Sequence, residues 1–73
     1  MKITVFSLTD CPRCEQLMRK LDSKGVQYTI INDPETMLEM GIRGDLPLLQ
    51  IDDGERMPFF KAIPWIDKNI IVE

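Results

Sequence analysis

The chain has 73 residues, of which 44% are hydrophobic and 29% charged, and its formal net charge is −3. This length suits a single small domain over residues 1–73, and the slight acidity without a basic block argues against a nucleic-acid partner. The chain has no histidine, which excludes Cys–His nucleophilic catalysis and the usual Cys/His zinc finger.

The first half of the chain alternates between predicted strands and helices. The apolar run Ile3–Leu8 predicts a strand buried on both faces. A helix follows, with Pro12 favoured in its first turn and Gly25 at its end. Alternating apolar residues predict a second strand at 26–31, and an Asx-Pro signal starts a short helix at Pro34. A strand–helix–strand unit of this length makes the first two strands parallel.

The second half predicts a hairpin and a last helix. A third strand at 46–51 is followed by the turn Asp52–Gly54 and a return strand at 56–60. Pro64 is the expected start signal of a helix at about 63–70. The resulting order is βαβαββα, which predicts an α/β fold with a four-stranded mixed sheet flanked by helices.

Large apolar side chains at helix or strand spacing are interpreted as core residues: Phe6, Met18, Met37, Met40, Phe59, Phe60 and Trp65. Because Phe59 and Phe60 are adjacent on one predicted strand, they should face opposite sides, which would expose one of them near the functional site. The acidic residues of the hairpin are interpreted as a solvated turn rather than a metal site: Asp52, Asp53 and Glu55.

The expected location is the cytoplasm. Strand-like sequence begins at Lys2, which leaves no room for a signal peptide, and no apolar run approaches the roughly 18 residues of a membrane span. We therefore expect no membrane partner. In a reducing compartment disulfides are usually transient and catalytic, and the two cysteines of this chain are too close together to staple a fold.

The motif Cys11-Pro12-Arg13-Cys14 contains both cysteines and carries the functional prediction. A C-x-x-C at a strand-to-helix turn is typical of a thiol–disulfide redox site. At the helix N-terminus, unpaired N–H groups would stabilise a thiolate on Cys11, and a thiolate is the attacking species in disulfide exchange. Cys14 is expected to stay a thiol until it resolves the mixed disulfide on Cys11. A chance pair of buried cysteines is the alternative.

Two charged neighbours of the cysteines leave alternatives open. Arg13 could stabilise the thiolate or attract an acidic partner, or it could be a solvated helix residue. Asp10 could oppose ionisation of Cys11, although as a helix-flanking acid it is expected to help cap the helix. Pro12 makes the loop between the two sulfurs rigid.

Pro47 opens the third predicted strand, where a proline forfeits a ladder hydrogen bond. Spacing alone favours a trans bond, since only about 5–6% of X–Pro bonds in folded proteins are cis. A cis bond would turn the Leu46 backbone toward the Cys11 sulfur, where its N–H and C=O could dock an extended peptide or glutathione. We therefore name Leu46 and Pro47, together with Pro12 and Arg13, as candidate substrate-binding residues.

The chain resembles the glutaredoxins of the thioredoxin-fold superfamily over nearly all of its residues. The resemblance rests on the strand before Cys11, the C-x-x-C motif, the helix after it, the βαβαββα order and the run Gly41-Ile42-Arg43-Gly44-Asp45-Leu46-Pro47. It implies a thioredoxin-like fold, a cis bond before Pro47, and disulfide reduction through Cys11 and Cys14.

Two departures from the family pattern bear on the electron donor. Glutaredoxins typically carry a Gly-Gly pair and an acidic residue that bind glutathione, whereas Arg56–Ala62 contains no glycine. NrdH-type redoxins, which take electrons from thioredoxin reductase, carry a Trp-Ser-Gly-Phe-Arg-Pro run that is absent here, although Trp65 lies near the corresponding end of the chain. The resemblance therefore implies either glutathione or a thioredoxin-reductase-type flavoprotein as the donor.

Disulfides of proteins or of small molecules are the expected substrates, with disulfide-containing proteins as the expected partners. We expect no bound organic cofactor or metal, because the sulfurs themselves carry the chemistry. An iron–sulfur or metal carrier that uses Cys11 is a second hypothesis, and a redox-silent binding module is a third. We expect a monomer, because Pro58 interrupts the predicted edge strand and so disfavours pairing with another chain.

Overall fold

The computed structural model describes residues 2–8, 10–42 and 46–70. Within these ranges the elements follow the predicted order: β1 Ile3–Phe6, α1 Pro12–Ser23, β2 Thr29–Ile31, α2 Pro34–Glu39, β3 Leu48–Ile51, β4 Arg56–Pro58 and α3 Phe59–Asn69. None of these helices combines the length and apolar character needed to cross a bilayer. Residues 43–45, part of the run on which the family resemblance rests, lie outside the described residues.

The described strands form one four-stranded sheet in the order β2-β1-β3-β4. β1 is parallel to β2, with Val5 opposite Ile30. β1 is antiparallel to β3, with Val5 opposite Leu49, and β3 is antiparallel to β4. The predicted α/β class and mixed sheet are confirmed, and they match the fold that the glutaredoxin resemblance implies.

β1 is an inner strand of the sheet, and all of its residues are buried. Because side chains alternate along a strand, β1 contributes to a separate core on each face of the sheet. Val5 packs in a cluster with residues of α1 and α3, whereas Phe6 packs with Met37 of α2 and with Ile42. The helices α1 and α3 therefore lie together over one face, and α2 covers the other.

α1 packs on the sheet through an apolar stripe. Cys14, Leu17 and Leu21, spaced by three and four residues, are buried on the same side of the helix. Lys20 Nζ also contacts Asp67 Oδ1 of α3 at 2.7 Å. Because this ion pair is solvent-accessible, it contributes little to stability. The buried stripe is what fixes α1 on the sheet.

α2 begins where the Asx-Pro signal predicts. The Asp33 carboxylate accepts hydrogen bonds from the Glu35 N–H at 3.3 Å and the Thr36 hydroxyl at 2.6 Å, and Pro34 occupies the first helical turn. The bond from Thr36 is the main cause that lowers the pKa of Asp33 below its usual value. The chain leaves the helix through Gly41, which has a φ of 75° that favours glycine.

The last helix is the main departure from the sequence-based prediction. β4 ends at Pro58 rather than at residue 60, and α3 begins at Phe59 rather than at about residue 63. Pro64 lies inside α3 instead of opening it, so the helix lacks one N–H donor there. An apolar stripe at helical spacing offsets this loss by packing on the core: Phe59, Ala62, Ile63 and Ile66.

Like β4, the other three strands are shorter than predicted. β1 ends at Phe6 instead of Leu8, β2 covers only Thr29–Ile31, and β3 begins at residue 48 instead of 46. Val26 and Tyr28 pack against the core although they precede β2. The apolar alternation therefore extends beyond the paired residues of the strands. It reflects the burial of side chains, and a residue can be buried without pairing with another strand.

Most of the large side chains predicted as core residues pack in the core: Phe6, Met18, Met37, Phe59 and Trp65. The prediction is wrong for Met40 and Phe60, which are 37% and 72% exposed. Met40 lies at the C-cap of α2, and Phe60 lies in the first turn of α3, on its solvent side. The acidic hairpin residues are exposed in the turn after β3, as predicted: Asp52, Asp53 and Glu55.

Replacing Leu49 by alanine tests the packing at the centre of the sheet. Leu49 is fully buried, so Leu49→Ala should lower the free energy of unfolding by roughly 2–5 kcal/mol. Leu38→Ala is the matched control, because Leu38 is 67% exposed and the same chemical change should cost less than about 0.5 kcal/mol. Urea denaturation followed by circular dichroism measures both. Equal losses in the two variants would contradict this packing.

Candidate active site

The turn between β1 and α1 places Cys11 at the start of the helix. The backbone of Asp10 has a φ of 58°, a left-handed conformation that aspartate tolerates better than most residues. Cys11 follows as the N-cap of α1, and its Sγ accepts a hydrogen bond from the Cys14 N–H at 3.3 Å. This N–H donor and the positive end of the helix dipole both favour negative charge on the Cys11 sulfur.

The prediction that Asp10 caps α1 is wrong, because the Cys11 side chain occupies the capping position. The sulfur thus takes the place of the side-chain oxygen that usually accepts the first free N–H groups of a helix. Pro12 follows in the first helical turn, where its missing N–H is no loss. Asp10 and Pro12 are both exposed.

The two cysteines differ in exposure. Cys14 is 1% exposed, Cys11 is half-buried, and both are free thiols. Burial, followed by the hydrogen bond and the charge of Cys11, raises the pKa of the Cys14 thiol to about 11. Cys14 is therefore protonated at neutral pH.

A small depression of about 100 Å³ lies beside the first turn of α1. Residues from three parts of the chain line it: Arg13, Leu46, Pro47, Pro58, Phe59 and Phe60. The fold thus brings together three of the four residues predicted to bind substrate, whereas Pro12 is not part of this lining. Every lining side chain except that of Arg13 is apolar.

The bond between Leu46 and Pro47 is cis. This conformation confirms what the family resemblance implies and corrects the trans bond that spacing alone favours. Pro47 is fully buried and directly precedes β3, so its missing N–H removes no hydrogen bond from the ladder. Leu46 is half-buried and packs against the cluster that contains Phe6.

The junction of β4 and α3 adds residues that the sequence patterns assigned otherwise. Pro58 occupies the N-cap position of α3 and lines the depression. The expectation that one of the adjacent phenylalanines is exposed near the site is correct for Phe60, although the cause is a helical turn rather than strand alternation. The apolar stripe that begins at Phe59 is the sequence signal that indicates this helix.

The charged and sulfur-bearing side chains of the site form neither a cluster of three metal ligands nor an ion pair among the described residues. No group of three or more Cys, Asp or Glu side chains suited to a metal ion occurs within residues 2–8, 10–42 and 46–70. Among these same described residues, Arg13 has no carboxylate within ion-pair distance. The arrangement suits nucleophilic sulfur chemistry, because it combines an accessible Cys11, a protonated thiol at Cys14 and an apolar depression beside the first turn of α1.

Comparison with known proteins agrees with this geometry. A family model for glutaredoxin matches residues 3–47. A solved structure of the glutaredoxin-like protein NrdH-redoxin from Escherichia coli, which has a thioredoxin-like activity profile, is 26% identical to this chain with a TM-score of 0.65. The structural match covers 81% of this chain and 84% of the NrdH-redoxin chain.

A diazinon-metabolizing glutathione S-transferase of the silkworm Bombyx mori shares the fold. The transferase is 16% identical to this chain, with a TM-score of 0.72. The match covers 96% of this chain and 38% of the transferase chain. No curated protein gave a significant match.

The matched segment contains the elements that build the turn around the sulfurs. It runs from β1 through Cys11, Cys14 and α1 to the cis proline at Pro47. The family match, the resemblance to NrdH-redoxin and the closeness of the two cysteines together identify a thiol–disulfide redox protein. The chain belongs to the glutaredoxin family.

Proposed function

We propose that the protein reduces disulfide bonds of partner proteins by dithiol exchange, with Cys11 as the nucleophile and Cys14 as the resolving residue. The hydrogen bond from the Cys14 N–H to the Cys11 Sγ is the observation that carries this proposal. This bond supports a mechanism in which the accessible Cys11 sulfur holds negative charge while the buried Cys14 sulfur keeps its proton. Such a cycle suits the reducing cytoplasm, where a transient disulfide can be returned to two thiols.

The proposed cycle transfers two electrons in two displacements. The Cys11 thiolate attacks one sulfur of the partner disulfide, forming a mixed disulfide and releasing the other partner sulfur as a thiolate. Cys14 then loses its proton and attacks Cys11 Sγ, which releases the second partner sulfur. The partner gains two electrons and, with protons from Cys14 and solvent, two thiols. The protein is left with a Cys11–Cys14 disulfide.

The first displacement prepares the second. Negative charge on Cys11 is one of the causes that raise the pKa of Cys14, and that charge disappears when Cys11 enters the mixed disulfide. Cys14 then ionises more readily, although its burial still opposes the charge. Attack by Cys14 therefore follows the attachment of the partner and does not precede it.

We propose that the depression binds the part of the partner chain next to its disulfide. Leu46 and Pro47 form part of the wall, and the apolar lining suits side chains that flank the partner cysteine. Arg13, two residues after Cys11, adds a positive charge that would attract carboxylates of the partner. Pro12 would limit the motion of the loop between the sulfurs. The chemistry needs no bound cofactor.

We propose a flavoprotein of the thioredoxin-reductase type as the electron donor in preference to glutathione. The structural relative NrdH-redoxin has a thioredoxin-like activity profile. In this chain Phe59 and Phe60 line the depression, and the segment Arg56–Ala62 has no glycine. Bulky apolar side chains offer few hydrogen bonds to a polar tripeptide, which disfavours a glutathione site here.

Serine substitution at each cysteine tests the assigned order of attack. In Cys14→Ser, Cys11 should still attack β-hydroxyethyl disulfide, but without added thiols the mixed disulfide should persist because no resolving sulfur remains. Intact-mass spectrometry should show the adduct on nearly every molecule, and multiple turnover should fall to background. Cys11→Ser is the matched control and should give neither adduct nor turnover. An adduct formed only in Cys11→Ser would reverse the two roles.

Electron-donor preference is measured by NADPH consumption with the protein and an excess of β-hydroxyethyl disulfide as the terminal electron acceptor. One arm contains thioredoxin reductase alone, and the other contains glutathione with glutathione reductase. We expect faster turnover in the thioredoxin reductase arm, because the depression lacks polar groups for glutathione. Cys11→Ser provides the blank in both arms. Turnover confined to the glutathione arm would refute the proposed donor while leaving the exchange chemistry intact.

A further inference from the structure

A second and larger concavity, with a volume of about 630 Å³, lies between α1 and α3. One wall is polar and belongs to α1, where Arg19 and Lys20 are among its residues. The other wall comes from the first turns of α3: Phe59, Phe60, Ile63 and Pro64. We call this concavity the α1–α3 groove. Neither cysteine lines it, so the exchange chemistry does not account for it.

The α1–α3 groove adjoins the depression beside the redox site. Phe59 and Phe60 line both concavities. Phe60 is 72% exposed, which is unusual for a phenylalanine in a small protein and leaves its ring facing solvent at the point where the two concavities meet. A ligand in the depression and a ligand in the groove would therefore contact the same two phenylalanines, Phe59 and Phe60.

The two concavities present positive charge on an acidic protein. Their lining includes three basic residues, Arg13, Arg19 and Lys20, and no residue of the lining carries a carboxylate. The chain as a whole has a net charge of −3. Lys20 contacts Asp67 at 2.7 Å and lowers the pKa of that carboxyl. Arg13 and Arg19 are exposed and have no carboxylate within ion-pair distance among the described residues. Both guanidinium groups are therefore placed to receive an acidic ligand.

We propose that the α1–α3 groove docks an extended acidic segment of the partner protein whose disulfide Cys11 attacks. This inference rests on the proposed function and adds the chemistry by which a partner is selected. Carboxylates of the segment pair with Arg19 and Arg13, and an apolar side chain packs on Phe60 and Ile63. Complementary charge outside the reacting atoms speeds productive encounter and disfavours basic partners.

The length of α1 limits the segment that can be recognised. From Arg13 to Ser23 the helix rises about 15 Å, at about 1.5 Å per residue. An extended chain covers that distance in roughly five residues, at about 3.3 Å each. The docking segment is therefore a short stretch that immediately flanks the partner cysteine.

Two synthetic peptides that contain the same disulfide test this inference. One carries an arm of glutamates around a single leucine, and the other has lysines in place of the glutamates. Each of the two peptides is made in two versions, one with the arm before the cysteines and one with the arm after them. Single-turnover reduction by the reduced protein is followed by stopped flow. Each rate is divided by the rate of the same variant with β-hydroxyethyl disulfide, which has no arm.

We expect the acidic peptide to be reduced about two- to thirtyfold faster than the basic one at low salt, the range for two exposed ion pairs. High salt should remove this preference by screening. Arg19→Glu should abolish or invert it, and Phe60→Ala should slow both peptides. Lys68→Glu is the matched control, because it makes the same charge change at the far end of α3 and should keep the wild-type preference.

Binding of a cysteine-free, fluorescent form of each peptide is measured by anisotropy, which tests docking separately from exchange. Tighter binding of the acidic peptide that is lost in Arg19→Glu and kept in Lys68→Glu supports the groove. Equal binding and equal rates for the two peptides would overturn the proposal, as would equal effects of the two substitutions. Selective binding without any disulfide reduction would support the groove and refute the proposed exchange function instead.

Discussion

The hydrogen bond from the Cys14 N–H to the Cys11 Sγ, at 3.3 Å, depends on two anchors that lie on either side of it. On one side β1 is buried along its whole length, and on the other α1 is held by the stripe of Cys14, Leu17 and Leu21. Cys14 belongs to that stripe, so the burial that keeps it protonated also holds the first turn of α1 in place. Packing and redox chemistry therefore depend on the same residue, and the two sulfurs differ because only one of them is part of the core.

The early start of α3 connects this redox turn to a surface that a partner can occupy. Because α3 begins directly after β4, Phe59 packs against the core and Phe60 projects into solvent one residue later. The outward ring lies where the depression meets the groove, opposite the basic wall of α1 that includes Arg19. The exchange chemistry of two thiols is the same for any accessible disulfide. Selection among partners must therefore come from surfaces such as this one, which lie outside the reacting atoms.

Features set by residues within one helical turn could be predicted from the sequence, whereas features set by distant packing could not. The start of α2 at Pro34 depends on its own cap and is correctly predicted. In isolation Pro64 is a helix start signal, and only the packing of the stripe from Phe59 onward overrides it. The cis bond before Pro47 has no local signature either, and the family resemblance supplied it. The exposure of Phe60 follows from the start of α3 at Phe59, a boundary that the sequence pattern places about four residues too late.

Differential alkylation of the reduced protein tests the division of labour between the two sulfurs most directly. Trypsin cleaves after Arg13, so the two cysteines are quantified on separate peptides by mass spectrometry. Because the pKa of Cys14 is raised to about 11, its alkylation should be slow at neutral pH and accelerate about tenfold per pH unit until near that value. Cys11 should be modified first throughout. Two results would contradict this account. One is faster modification of Cys14 than of Cys11 at neutral pH, and the other is a Cys14 rate that stops rising near pH 9.0, the ordinary pKa of the thiol.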